Sequence, residues 1–125
     1  MILLTVTEII DLHETLVRKT GGSVELRDIG LLESAVYGAM QSFDDEEVYK
    51  SIEEKAARFA FALVKNHAFI DGNKRIGIFV MLMTLRLNGV QIRYTQDELI
   101  DLGLGIADGR WDYDYILSWI NANRI

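Results

Sequence analysis

The chain has 125 residues, 50% of them hydrophobic and 26% charged, the size and balance of one folded domain. It has no cysteine, which excludes disulfides and thiolate metal sites, and no proline, which excludes a proline-rich linker. A formal net charge of −6 argues against direct nucleic-acid binding, whose affinity rests on cations neutralising phosphates, but leaves room for a local cationic pocket.

In chain order, Thr5-Val6-Thr7-Glu8 predicts a capping box that opens a helix. Ile9, Leu12, Leu16 and Val17 then recur at helical spacing, and Gly21-Gly22 ends the run. Asp28 predicts the cap of a second helix carrying Leu31, Leu32, Ala35 and Val36. Phe43 to Glu47 reads as an acidic connector. Ser51-Ile52-Glu53-Glu54 is another capping box, and the helix behind it places Ala56, Phe59, Ala60, Leu63 and Val64 on one face. A strongly apolar helix follows from Asn73 to Leu87, with Asn88-Gly89 as its stop. Val90 to Tyr94 alternates weakly and predicts a short extended piece. Thr95 to Glu98 is a third capping box, leading through Leu99, Leu102 and Ile106 to Gly109. A last helix runs from Asp112 to Asn121, with Tyr115, Ile116, Trp119 and Ile120 facing inward.

These elements predict an all-α single domain over residues 1–125, of about six helices. The Ile76–Leu85 helix is central because it is apolar nearly all round. That run is too short to span a bilayer, and the N-terminus lacks the pattern of a signal peptide. The expectation is a cytoplasmic protein with no membrane contact. His13 reads as a structural histidine, Trp111 and Trp119 as packing residues, and Met40, Met81 and Met83 as core filler.

Chemistry concentrates in His67-Ala68-Phe69-Ile70-Asp71-Gly72-Asn73-Lys74-Arg75. The run feeds the start of the central helix, where free backbone N–H groups and the positive end of a dipole attract anions. Cations there bind phosphate, a carboxylate can hold a divalent ion, and an imidazole can move a proton. Two plainer readings and one rival chemistry compete. Asp71 to Asn73 could form a hairpin turn, though the flanks do not alternate cleanly. The run could be a helix–loop–helix corner, with His67 and Asn73 as caps and Lys74 and Arg75 merely solvated. A metal-dependent nuclease built on His67, Asp71 and Asn73 is disfavoured by the acidic balance. A zinc site lacks ligands, since His13 and His67 are the only histidines. The Gly-x-x-x-x-Gly-Lys-Ser/Thr phosphate loop and the Gly-x-Ser-x-Gly elbow are both absent.

The spacing His67-x-Phe69-x-Asp71-Gly72-Asn73-Lys74-Arg75 resembles the signature of the Fic/Doc family, in particular its death-on-curing branch of type II toxin–antitoxin systems. Gly21-Gly22 with Arg27-Asp28-x-Gly30-Leu31-Leu32-Glu33-Ser34-Ala35 resembles the family's upstream segment. Arg86-Leu87-Asn88-Gly89 resembles the stretch closing its central helix. The likeness covers nearly the whole chain and implies a Fic-like helical bundle.

The resemblance also implies roles. His67 would be the general base toward a target hydroxyl. Asp71 would hold Mg²⁺ bridging the phosphates of ATP. Gly72, Asn73 and the first helical N–H groups would cradle phosphate, with Arg75 as a forked donor. Many AMP-transferring members have glycine where Lys74 stands and an arginine at the place of Ile78. The Doc branch has the lysine, lacks that arginine and transfers the terminal phosphate. The resemblance therefore favours phosphorylation of a hydroxyl on a translation factor such as elongation factor Tu, halting protein synthesis. AMP transfer and a catalytically silent antitoxin-binding module are the alternatives. Some Fic proteins carry an inhibitory helix with Ser/Thr-x-x-x-Glu followed by Gly or Asn. No glutamate here is followed by either residue, which implies restraint by a separate antitoxin in trans.

Overall fold

Local chemistry fixes where most helices begin. The computed structural model describes residues 1–125. It contains α1 (Val6–Thr20), α2 (Ile29–Gly38), the short strands β1 (Ser42–Phe43) and β2 (Glu46–Glu47), α3 (Ile52–Asn66), α4 (Asn73–Leu87), α5 (Gln96–Ala107) and α6 (Tyr113–Ala122). Thr5, Ser51 and Thr95 each cap a helix in a reciprocal box with Glu8, Glu54 and Glu98. Asp28 and Asp112 cap α2 and α6 through their side chains. The caps at Thr5, Asp28, Ser51 and Thr95 stand where the sequence predicts them; Asp112 is expected only as the start of the last helix.

Two apolar clusters form the core, and α3 and α4 belong to both. On one side Ile9 of α1 and Leu32 and Val36 of α2 pack with Phe59, Leu63, Ile76 and Val80. On the other, Ala60, Val64, Ile78, Met81 and Leu85 meet Leu102 and Ile106 of α5 and Ile116 and Ile120 of α6. An α4 buried on two sides needs apolar residues around most of its circumference, which explains its near-continuous apolar run. The close approach of α3 and α4 depends on Gly77. A Cβ there would lie 2.6 Å from Val64 Cγ2 and 3.2 Å from the Ala60 carbonyl.

Three expectations need correction. The acidic connector is a small antiparallel hairpin pairing Ser42 with Glu47 and Phe43 with Glu46. Asp44 and Asp45 take φ of 51° and 64°, the positive-φ pair that a two-residue I′ turn requires and that aspartate tolerates. Lys55, 1% exposed on α3, reaches out of the core to donate to the Tyr49 carbonyl and to Glu47 Oε1, tying the hairpin to the bundle. Met40, expected in the core, is 40% exposed beside this hairpin. Tyr115, expected to face inward, is exposed and stacks on Trp111 at 4.4 Å. The extended piece near Val90–Tyr94 is present as a bridge between Ile92 and Arg124, with the Arg93 N–H donating to the Asn123 carbonyl at 2.8 Å.

Candidate active site

The loop between α3 and α4 carries the motif residues, and its backbone is held in an unusual path. His67 caps the C-terminus of α3 at φ 52°, ψ 47°, in the left-handed region. A non-glycine residue there costs about 1 kcal/mol or more, so its surroundings must enforce it. Arg27 does much of this. Its Nε donates to the His67 carbonyl at 2.7 Å and its Nη2 to the Asn66 carbonyl at 3.3 Å. The backbone N–H groups of Arg27 and Asp28 both donate to the Ala68 carbonyl, at 2.8 and 3.0 Å. The segment around Leu26 thus pairs antiparallel with Phe69. The His67 ring, held at the surface, makes no hydrogen bond within the protein.

Beyond His67, the loop is pinned from inside. Phe69 is buried as the loop's anchor. The Asn73 side chain accepts from the Phe69 N–H at 3.1 Å and donates to the Phe69 carbonyl at 2.9 Å. That carboxamide is therefore committed to the loop, and Asn73 can offer a ligand only its backbone N–H. Gly72 sits at φ +79° as the N-cap of α4 and has no side chain to cap it. As a result the backbone N–H groups of Gly72, Asn73, Lys74 and Arg75 donate to no group of the protein. Four free donors at a helix start, with two cations in the first turn, are the arrangement that attracts an anion such as phosphate. Neither Lys74 nor Arg75 pairs with a carboxylate; the Arg75 guanidinium lies 3.4 Å from the Gly21 carbonyl.

Asp71 is exposed, and its Oδ2 accepts the Ser23 N–H at 2.8 Å. Gly22, at φ +112°, lets the segment lie so close that a Cβ there would be 3.2 Å from Asp71 Cβ. Oδ1 stays free. No three His, Asp or Glu side chains converge on one point in the chain. The donor set therefore does not suit a metal held by protein alone. It does suit Mg²⁺, which binds through one or two carboxylates together with substrate phosphates.

His13, read from sequence as structural, lies directly beneath this loop. It is 1% exposed, stacks on Phe69 with ring centroids 3.6 Å apart, and its Nε2 lies 2.6 Å from the Asp71 carbonyl. Burial holds its ring below the usual histidine range, opposed by the hydrogen bond at Asp71, with the Arg75 charge lowering it further. His67, Asp71 and Lys74 are exposed, and Gly72 and Arg75 half-buried, along the loop and the first turn of α4. The structural reading of His13 holds, but its contact with Asp71 was not foreseen, nor were Ser23 and the bracing role of Arg27. The only signal for the last two was the Gly21-Gly22 and Arg27-Asp28 segment. Beside the start of α4 runs an apolar groove of about 700 Å³ between α1, α4 and α5, lined by Leu16, Lys74, Ile78, Leu99, Ile100 and Leu104 among others. No helix of the chain is long and apolar enough to cross a membrane.

Comparison with known proteins places the motif in a family context. The sequence profile of the Fic/DOC family matches residues 3–85. A protein named Toxin Doc, from Mycolicibacterium smegmatis, is 33% identical over 117 residues, covering 90% of this chain and 90% of that protein. A protein named Protein kinase doc, from Escherichia phage P1, is 35% identical over 102 residues, covering 82% of this chain and 79% of that protein.

Proposed function

The chain belongs to the Fic/DOC family, and from that premise we propose that it is a Doc-type toxin that transfers the terminal phosphate of ATP to a hydroxyl of a target protein. The observation that carries this reading is the uncapped start of α4: four unpartnered N–H groups beside Lys74 and Arg75, neither in an ion pair. The relative named as a protein kinase supports phosphate over AMP as the group moved. So does isoleucine at 78, which leaves the cradle one cation short of the pattern associated with AMP transfer.

In this reading the backbone N–H groups of Gly72 to Arg75 and the Arg75 guanidinium bind phosphate oxygens and hold them in line for attack. Asp71 would hold Mg²⁺ through its free oxygen, and the ion would neutralise charge on the phosphates. His67, exposed and without a partner, takes the proton of the target hydroxyl. That hydroxyl oxygen bonds to the terminal phosphorus, the bond to ADP breaks, and ADP leaves. The translation factor elongation factor Tu is the proposed target and cessation of protein synthesis the proposed outcome. An antitoxin acting in trans is the proposed partner. The apolar groove supports that partner, because Leu104, Ile100 and Tyr94 stand exposed along it with Lys74 and Arg75 at one wall. The site lies in the cytoplasm on this reading, where ATP and the target are found.

The test is to incubate the protein with Mg-ATP and elongation factor Tu and weigh the peptides. A phosphate increment that disappears in His67→Asn supports the proposal. An AMP increment moves the assignment to AMP transfer. Growth arrest that persists in His67→Asn, with no covalent change on any protein, overturns the enzymatic reading in favour of a binding module.

A further inference from the structure

His13 is 58 positions away from Asp71 in sequence and touches it at the carbonyl oxygen. An imidazole nitrogen 2.6 Å from a carbonyl must carry the proton, so Nε2 is the donor. In the neutral ring Nδ1 is then an acceptor, and it is buried with no partner. An apolar ring would stack on Phe69 equally well without that unmet acceptor. The imidazole therefore gains its place through the Nε2 bond, not through packing.

That bond has a consequence on the far side of the peptide. All peptide bonds of the chain are trans, so the carbonyl of Asp71 and the N–H of Gly72 point in opposite directions. With the carbonyl drawn down onto α1, the Gly72 N–H is turned away from the protein interior, where it has no partner. Gly72 itself rests on α1: a Cβ there would lie 3.3 Å from His13 Nε2 and 3.1 Å from Val17 Cγ2. The loop is thus clamped twice, by Asn73 at Phe69 and by His13 at Asp71.

We infer that His13 is a positioning residue of the phosphate seat: by holding the Asp71 carbonyl, it sets the Asp71–Gly72 peptide plane so that the Gly72 N–H faces the phosphate. The inference rests on the phosphate-cradle reading for its effect on ligand binding, while the orientation of the N–H stands independently of it. His13→Gln keeps an amide donor at the reach of Nε2 but loses the stacking ring. His13→Phe keeps the stacked ring but loses the donor. A purely structural role predicts that Phe is tolerated and Gln is not; a positioning role predicts the reverse.

Two readouts decide. Residual dipolar couplings in the ligand-free protein give the direction of the Gly72 N–H. Calorimetry gives the affinity for Mg-ATP. The expected result is a wild-type N–H direction and affinity within about threefold in His13→Gln. In His13→Phe the N–H direction changes and affinity drops by roughly tenfold or more, the scale of one hydrogen bond to a charged group. Should the Phe variant not fold, His13→Leu takes its place. An unchanged N–H direction in the donor-less variant overturns the inference, as does equal Mg-ATP affinity in all three proteins. If wild-type protein binds no Mg-ATP, the phosphate-transfer reading falls while the couplings still decide whether His13 orients the peptide.

Discussion

The two central helices begin in opposite ways. α3 opens with Ser51, whose hydroxyl accepts from the Glu54 N–H at 3.0 Å while the Glu54 side chain accepts from the Ser51 N–H at 3.1 Å. Glu53 and Glu54 also set negative charge against the positive end of the dipole. α4 opens with Gly72, which offers no cap, and its first turn carries Lys74 and Arg75 and no acid. Cations at a helix start disfavour it by about 0.3–1 kcal/mol each, and a missing cap forgoes about 1 kcal/mol more. Both helices have 15 residues and pack on each other, so their surroundings do not force the contrast. One end is arranged for stability, and the other breaks the same local rules, as the proposed anion site there would require.

The largest effect belongs to the open end. His67→Asn keeps a residue that tolerates the left-handed backbone at this position. Single-turnover phosphate transfer should fall by about 10²–10⁴-fold, the usual weight of a general base. Melting temperature should stay the same, because the ring makes no hydrogen bond to lose. Retained transfer would remove His67 from the chemistry.

Next comes the contact between the two helices. Gly77→Ala would press a methyl against Val64 Cγ2 at 2.6 Å, with the Ala60 carbonyl close behind. Overpacking of this kind costs about 1–3 kcal/mol. Urea unfolding should show that loss, with Mg-ATP affinity per folded molecule unchanged. An affinity change would mean that the helix spacing itself tunes the seat.

Much of this fold could be read from the sequence because its signals are short-range. Thr5, Asp28, Ser51 and Thr95 act on N–H groups three residues away, and each is where the pattern predicts. The end of α4 at Asn88-Gly89 is likewise where the sequence predicts it. The hairpin escaped because Asp44-Asp45 reads as solvated charge until its backbone angles are known. Met40 and Tyr115 were misread because periodicity gives a face but not what covers it. Lys55 gave no sign of burial, since its partners at Glu47 and Tyr49 lie in the hairpin. The motif named the candidate residues of the loop and the first turn of α4. What it could not give was the layer beneath: His13 meets Asp71, and Arg27 meets His67, only through tertiary packing.

Two substitutions sharpen the contrast between helix starts. Ser51→Ala removes a working cap and should cost about 1 kcal/mol, leaving Mg-ATP affinity intact. Lys74→Glu should do the reverse. An acid in the first turn complements the dipole and adds about 0.3–1 kcal/mol of stability, while a negative charge at the phosphate seat weakens Mg-ATP binding. Denaturant midpoints and calorimetry on the same two proteins check both. If Lys74→Glu binds Mg-ATP as well as the parent, the open start of α4 is not where the phosphates sit.

The smallest effect lies at the capped end. Burial pushes the Tyr113 hydroxyl up to about 12, with the charges of Glu54, Tyr49 and Asp114 adding to it and Arg58 opposing. An unfolded chain ionises tyrosine near about 10. Below that pH both states keep the proton and stability is whole. Between about pH 10 and pH 12 the unfolded chain sheds a proton that the native chain retains, so the native state loses ground as pH rises. Tyr113→Phe removes this titration, and its stability should fall less steeply over that range than the parent's. The residue sits at the first turn of α6, facing the Glu54 that completes the α3 capping box. Alkali should therefore destabilise the fold as a whole through this tyrosine. An identical slope in the two proteins would show that Tyr113 ionises as freely in the fold as in the unfolded chain.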